Sequence, residues 1–200
     1  MKKFFIAFIV FVTLAGCSSN KMRLEDRSEL SLRISEEVIV LDDMFYSDMQ
    51  SSVRGGIGSL LGDIVANGME DKEEQFSKTM IDNNVDIQGI VLRAALGELD
   101  KAKIKVKEDA ELEMKFTVRL YGFGQKHGLS KKLHPIMVLE TKITDEDEEV
   151  LFKDVENITT FSRGTASYSV DEYIEDSSKI EEGLEGVAAI AVSKTIEKIR

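Results

Sequence analysis

Apolar positions along this chain fall into two rhythms, one of period two and one of helical spacing. Leu30, Leu32 and Ile34 share one side of an extended segment, and the run Val38-Ile39-Val40-Leu41 continues it. Residues 30–41 are therefore predicted to form a strand that stops at Asp42-Asp43. The clearest alternation covers residues 111–121. There Leu112, Met114, Phe116, Val118 and Leu120 alternate with Glu111, Glu113, Lys115, Thr117, Arg119 and Tyr121, the pattern of a strand with one face in the core. Residues 122–128 read as a loop and Pro135 opens another strand over 136–143. Asp145 to Glu148 fits a hairpin turn, and Val150-Leu151-Phe152 returns. Residues 104–106 form a short strand, and 158–170 are β-prone. Helical spacing occurs at 85–99 (Ile87, Val91, Ala94, Ala95, widened by Ile90, Leu92, Leu96 and Leu99) and at 178–198 (Ile180, Leu184, Val187, Ala188, Ala191, Thr195). Residues 70–79 are charged and expected to lie on the surface. This order predicts an α+β fold: a mostly antiparallel sheet with two main helices packed on one face.

The first residues follow a different plan. Lys2 and Lys3 precede the apolar run 4–14, which is interrupted only by Thr13. That run is too short to cross a bilayer, which takes roughly 20 residues. Basic, apolar, then small residues is the order of an export signal. It ends in Leu14-Ala15-Gly16-Cys17, which resembles a bacterial lipobox. The resemblance implies cleavage by signal peptidase II between Gly16 and Cys17, with acyl chains such as palmitate on Cys17. It also implies a signal peptide at 1–16, a lipidated tether at 17–28 and a single periplasmic domain at 29–200. Ser18-Ser19 in place of an Asp resembles cargo of the outer membrane. The strand at 111–122 and the hairpin at 143–152 are in turn similar to small α+β outer-membrane lipoproteins of the lipopolysaccharide-assembly or ABC-transport-auxiliary type.

Composition narrows the functional classes. The 200 residues carry a net charge of −11, which argues against nucleic acid as a partner and implies repulsion from anionic lipid. One Cys permits no intrachain disulfide. His127 and His134 lack the spacing of a metal motif, and Ser130 and Ser162 lack the context of a nucleophile. The acidic run 145–149 reads as a solvated turn. No cofactor, metal or catalytic residue is expected, and the chain is not expected to be an enzyme. The glycine-rich segment 55–65 would allow close backbone approach at Gly58 and Gly62, so these two residues are candidate partner contacts. Phe123 is a third candidate, in an apolar patch expected with Tyr121 and Phe161. The expected function is that of a non-catalytic envelope lipoprotein. It would be held in the membrane through lipid on Cys17, facing the periplasm, and would bind a protein partner in an outer-membrane assembly or transport complex. The alternative is a periplasmic carrier of lipid or a small hydrophobic ligand. Homo-oligomerisation is left open.

Overall fold

A computed structural model describes residues 30–41, 44–47, 70–126 and 130–200. The strands are β1 (Ser31–Val40), β2 (Phe45–Ser47), β3 (Lys105–Val106), β4 (Glu113–Gln125), β5 (Lys132–Thr144), β6 (Val150–Ile158) and β7 (Tyr168–Ser169). The helices are α1 (Glu70–Asp82), α2 (Ile87–Lys101), α3 (Val170–Glu175) and α4 (Ser178–Ile199). The fold is α+β. The sheet runs β3-β1-β4-β5-β6, with β2 also beside β4 and β7 beside β5. It is mixed rather than antiparallel throughout: β1 is parallel to β3 and β4, and β2 is parallel to β4. The cause is connectivity. A helical crossover, α1 and α2, lies between β1 and β4, and such a crossover returns the chain in the same direction.

Leu112, Met114, Phe116 and Val118 turn inward as their alternation predicts. The fifth member, Leu120, does not. The pairing of β4 with β5 slips between Val118 and Leu120, leaving Arg119 as the extra residue of a bulge. The bulge inverts the phase, so Leu120 lies half-buried opposite Val138 and Phe123 enters the core. Beyond the bulge β4 runs on to Gln125, through glycines that read as loop in the sequence. Gly122 is needed there. Its φ is +150°, and a Cβ would run into the backbone carbonyl of Phe45, where β2 pairs alongside. Pro135 lies within β5 rather than at its start. It pairs with Phe123 on one side, and its other side falls between the end of β7 pairing at Lys132–Leu133 and the start of β6 pairing at Met137. A residue without an N–H fits such a gap.

The helices pack on one side. α4 buries Ile180, Leu184, Val187, Ala188, Ala191, Ile196 and Ile199 against β5, β6 and α2. α2 contributes Ile87, Ile90, Val91, Ala95 and Leu99. Both follow the spacing read from the sequence, except that Leu96, expected to widen the α2 stripe, is 49% exposed because it lies on the side of α2 turned away from the sheet and α4. α1 does not, because among its described side chains, residues 74–82, only Phe76 and Met80, one turn apart, are buried. Phe76 joins an aromatic cluster with ring centroids 4.9 Å from Phe123 and 5.6 Å from Tyr173, and Tyr168 stands 5.4 Å from Tyr173. The Tyr173 hydroxyl donates to the Leu133 carbonyl at 3.3 Å, and burial holds its phenol protonated well above the usual tyrosine range. A Gly122→Ala chain is expected to lose about 2–4 kcal/mol of unfolding free energy in denaturant titration. Amide exchange should accelerate at Phe45 to Ser47 while the β5–β6 ladder keeps its protection.

Candidate functional site

Among the described residues, no helix covers the second side of the sheet. Strict alternation along β5 places Ile136, Val138, Glu140 and Lys142 there. Pairing carries Thr117 and Ile39 to the same side as Glu140, together with Val155 of β6. The open side has two halves. The end where β1 begins is ionic: Arg33 and Lys115 reach the Glu113 carboxylate at 3.2 and 3.3 Å. The other end is apolar, with Ile39 49%, Leu41 60%, Phe45 42% and Val155 41% exposed, beside half-buried Leu120, Ile136 and Val138.

Glu140 sits where the halves meet, almost wholly buried, with its side chain 4% exposed. Lys142 and Lys153 stand 3.1 and 3.3 Å from its Oε1, and the Arg119 guanidinium bonds its Oε2. The bulge is what aims Arg119 across to β5. Burial pushes the Glu140 carboxyl pKa up, but hydrogen bonds from Lys142, Lys153 and Arg119 outweigh it and hold the group below its ordinary range. One carboxylate thus organises three cations, each roughly half-exposed.

The helical side carries a second ionic cluster. Lys198 Nζ donates to both carboxylate oxygens of Asp154, at 2.7 and 2.8 Å, and also to Glu156. Lys194 stands 3.7 Å from the second oxygen of Glu156. Burial lowers the Lys198 pKa, but its bonds to Asp154 and Glu156 outweigh that and give a net upward shift. These bonds tie the last turns of α4 to edge strand β6. Between α2 and α4 a surface groove of about 300 Å³ is lined by Arg93, Ala94, Gly97, Glu98, Lys101, Glu185 and Ala189. Arg93 and Glu185 bridge it at 2.8 Å. A cavity of about 280 Å³ lies at the sheet end, between Leu30-Ser31 and residues 107–112. By contrast, the space between helices and sheet is filled by side chains with no exposed surface, Ile90, Leu99, Met114, Leu139 and Leu184 among them.

Gly16, Cys17, Gly58, Gly62 and His127 lie outside the described residues. Phe123 does not belong to a surface patch: it has no exposed area and packs in the aromatic cluster, because the bulge turns it inward. Of its suggested companions, Tyr121 is half-buried and Phe161 is 68% exposed. The Asp145 carboxylate is spent on the hairpin turn, accepting from the Asp147 and Glu149 amides at 3.1 and 2.8 Å. Ser130 donates to the Lys132 carbonyl and Ser162 accepts from the Thr159 amide, both as turn contacts. The local sequence pattern does not reveal the Glu140 cluster. Its signal is present as polar positions in alternating strands, but the pairing that joins Arg119, Glu140 and Lys153 is set by a bulge that no local pattern announces.

The depressed Glu140 pKa stabilises the fold above the ordinary glutamate pKa of about 4.3, and this stabilisation is lost as pH falls through the lower folded-state value. Glu140→Gln is expected to cost about 1–3 kcal/mol at neutral pH, since three cations lose their shared anion while staying partly hydrated. Denaturant titrations of both chains should converge as pH falls from roughly 5 to 3.

No family model and no curated protein matches the chain. Among solved structures it is similar to protein XCC0632 from Xanthomonas campestris, of family DUF330. That match has 15% identity and a TM-score of 0.39, and covers 56% of this chain and 62% of the other, less than two thirds of its length. It is also similar to the PelC dodecamer from Paraburkholderia phytofirmans, at 9% identity and a TM-score of 0.36 over 86% of each chain. At these values neither likeness assigns a family or a function.

Proposed function

We propose that this protein is a lipid-anchored envelope protein that performs no catalysis and holds a protein partner at the membrane. The observation that carries the reading is Leu14-Ala15-Gly16-Cys17 at the end of the apolar run 4–14. Two or more acyl chains on Cys17 would give stable anchoring, each buried CH₂ contributing about 0.8 kcal/mol. Anchoring confines the domain to a thin layer, so that a partner in the same membrane meets it at high effective concentration and modest affinity suffices. Among the described residues, the packed interior favours this reading over ligand carriage: the buried stripe of α4 meets the sheet directly, and the cavities described above open on the surface.

The α2–α4 groove is an exposed site on the helical side, and Gly97 lines it. Gly97 offers a direct probe, because a side chain placed there meets nothing within 4 Å. In cells fed labelled palmitate, the wild-type chain is expected to incorporate label and to mature with Cys17 as its first residue, while Cys17→Ala stays unlabelled and uncleaved. Wild-type protein without label would overturn the anchor. A photo-crosslinking residue at position 97 should trap one envelope protein in stoichiometric yield, and that product should be lost with Cys17→Ala. Co-purified phospholipid without any protein product would count for the carrier instead.

A further inference from the structure

The open side of the sheet is a membrane-facing surface: we infer that it lies against an anionic phospholipid bilayer and leaves the helices pointing away. The inference rests on the anchored reading above and adds an orientation to it. Charge is the first argument. The chain as a whole is strongly acidic, at −11, yet this side reverses the sign. Among the described residues of the paired strands, Arg33, Lys115, Arg119, Lys142 and Lys153 share it with Glu113 and Glu140, while Glu36 and Glu37 sit at the bulge of β1. Cations outnumber carboxylates, and anionic headgroups attract such a surface over about a Debye length.

Apolar exposure is the second argument. Four large apolar side chains at 41–60% exposure (Ile39, Leu41, Phe45 and Val155) stand beside that charge. Basic and apolar groups on one side match the two layers of a bilayer surface, headgroup and acyl chain. The third argument is reach. Residues 18–29 separate Cys17 from Leu30, and fully extended they span roughly 45 Å. The chain then enters the sheet at Ser31, at the basic end of this side. A second copy of the chain is disfavoured as occupant, because packing two such sides together would oppose their cations.

The test uses the full lipidated chain in vesicles with and without phosphatidylglycerol. Acylation blocks the chain's single native thiol, so a cysteine introduced at Val155→Cys takes a polarity-sensitive dye alone. Leu96→Cys, exposed on α2, is the control on the helical side. A lipid-borne nitroxide is expected to quench the Val155 dye several-fold more than the Leu96 dye in vesicles containing phosphatidylglycerol. High salt should shrink the difference, as should Lys115→Gln with Lys153→Gln. Leu41→Glu, at a well-exposed position, should do the same without touching the Glu140 contacts. Equal quenching at both positions would overturn the inference. So would a Val155 dye shielded in native membranes but not in protein-free vesicles, which would make the occupant a protein. A chain that takes two dyes has a free Cys17, and that outcome counts against the anchor alone.

Discussion

The bulge at Arg119 governs both faces of the sheet at once. A single extra residue in β4 changes which side chains point where for the rest of the strand. On the helical side it delivers Phe123 to Phe76 and Tyr173, which closes the core beneath α1 and α3. On the open side it delivers Arg119 to Glu140. Without the slip, continued alternation would bury Leu120 and expose Phe123. The aromatic cluster and the ionic cluster would fail together, although they share no atom.

Glu140 then acts as the fixed point of a cationic surface. Three flexible basic side chains near one another would ordinarily repel and splay. A buried carboxylate with two oxygens gives each a partner and holds them over the middle of the sheet. The same logic operates in reverse at the edge. Asp154 and Glu156 project from β6 toward the helices and are met by Lys194 and Lys198. Inward-pointing acids on an edge strand, capped by lysines from α4, also make β6 a poor template for pairing with another chain.

Much of this architecture is legible in the residues. The long stripes of α2 and α4 and the alternation at 112–118 mark elements whose buried faces are continuous, so local pattern and tertiary burial agree. α1 is not legible, since Phe76 and Met80, the two buried side chains among those described in it, leave almost no periodic signal. The extension of β4 through Gly122 and Gly124 is hidden for the opposite reason. Glycines usually end strands, and here Gly122 admits the backbone of a neighbouring strand. The ionic cluster of the open side belongs to neither local rule: it needs a cross-strand register that a single sequence does not carry. The resemblance to a lipobox, by contrast, rests on four adjacent residues and needs no fold at all.

The parallel pairing of β1 bears on how the molecule forms. Arg33 finds Glu113 as its partner, 80 residues further along, and β1 ends up flanked by β3 and β4 rather than by its neighbours in sequence. Closing so long a loop before any strand pairing repays it is slow. A chain delivered from its N-terminus, on a ribosome or through a pore, therefore holds its first strand without a partner until more than half its length has emerged. The topology delays its own completion: β1 comes first in the chain, yet it is fixed in the sheet only once β3 and β4 are there to flank it.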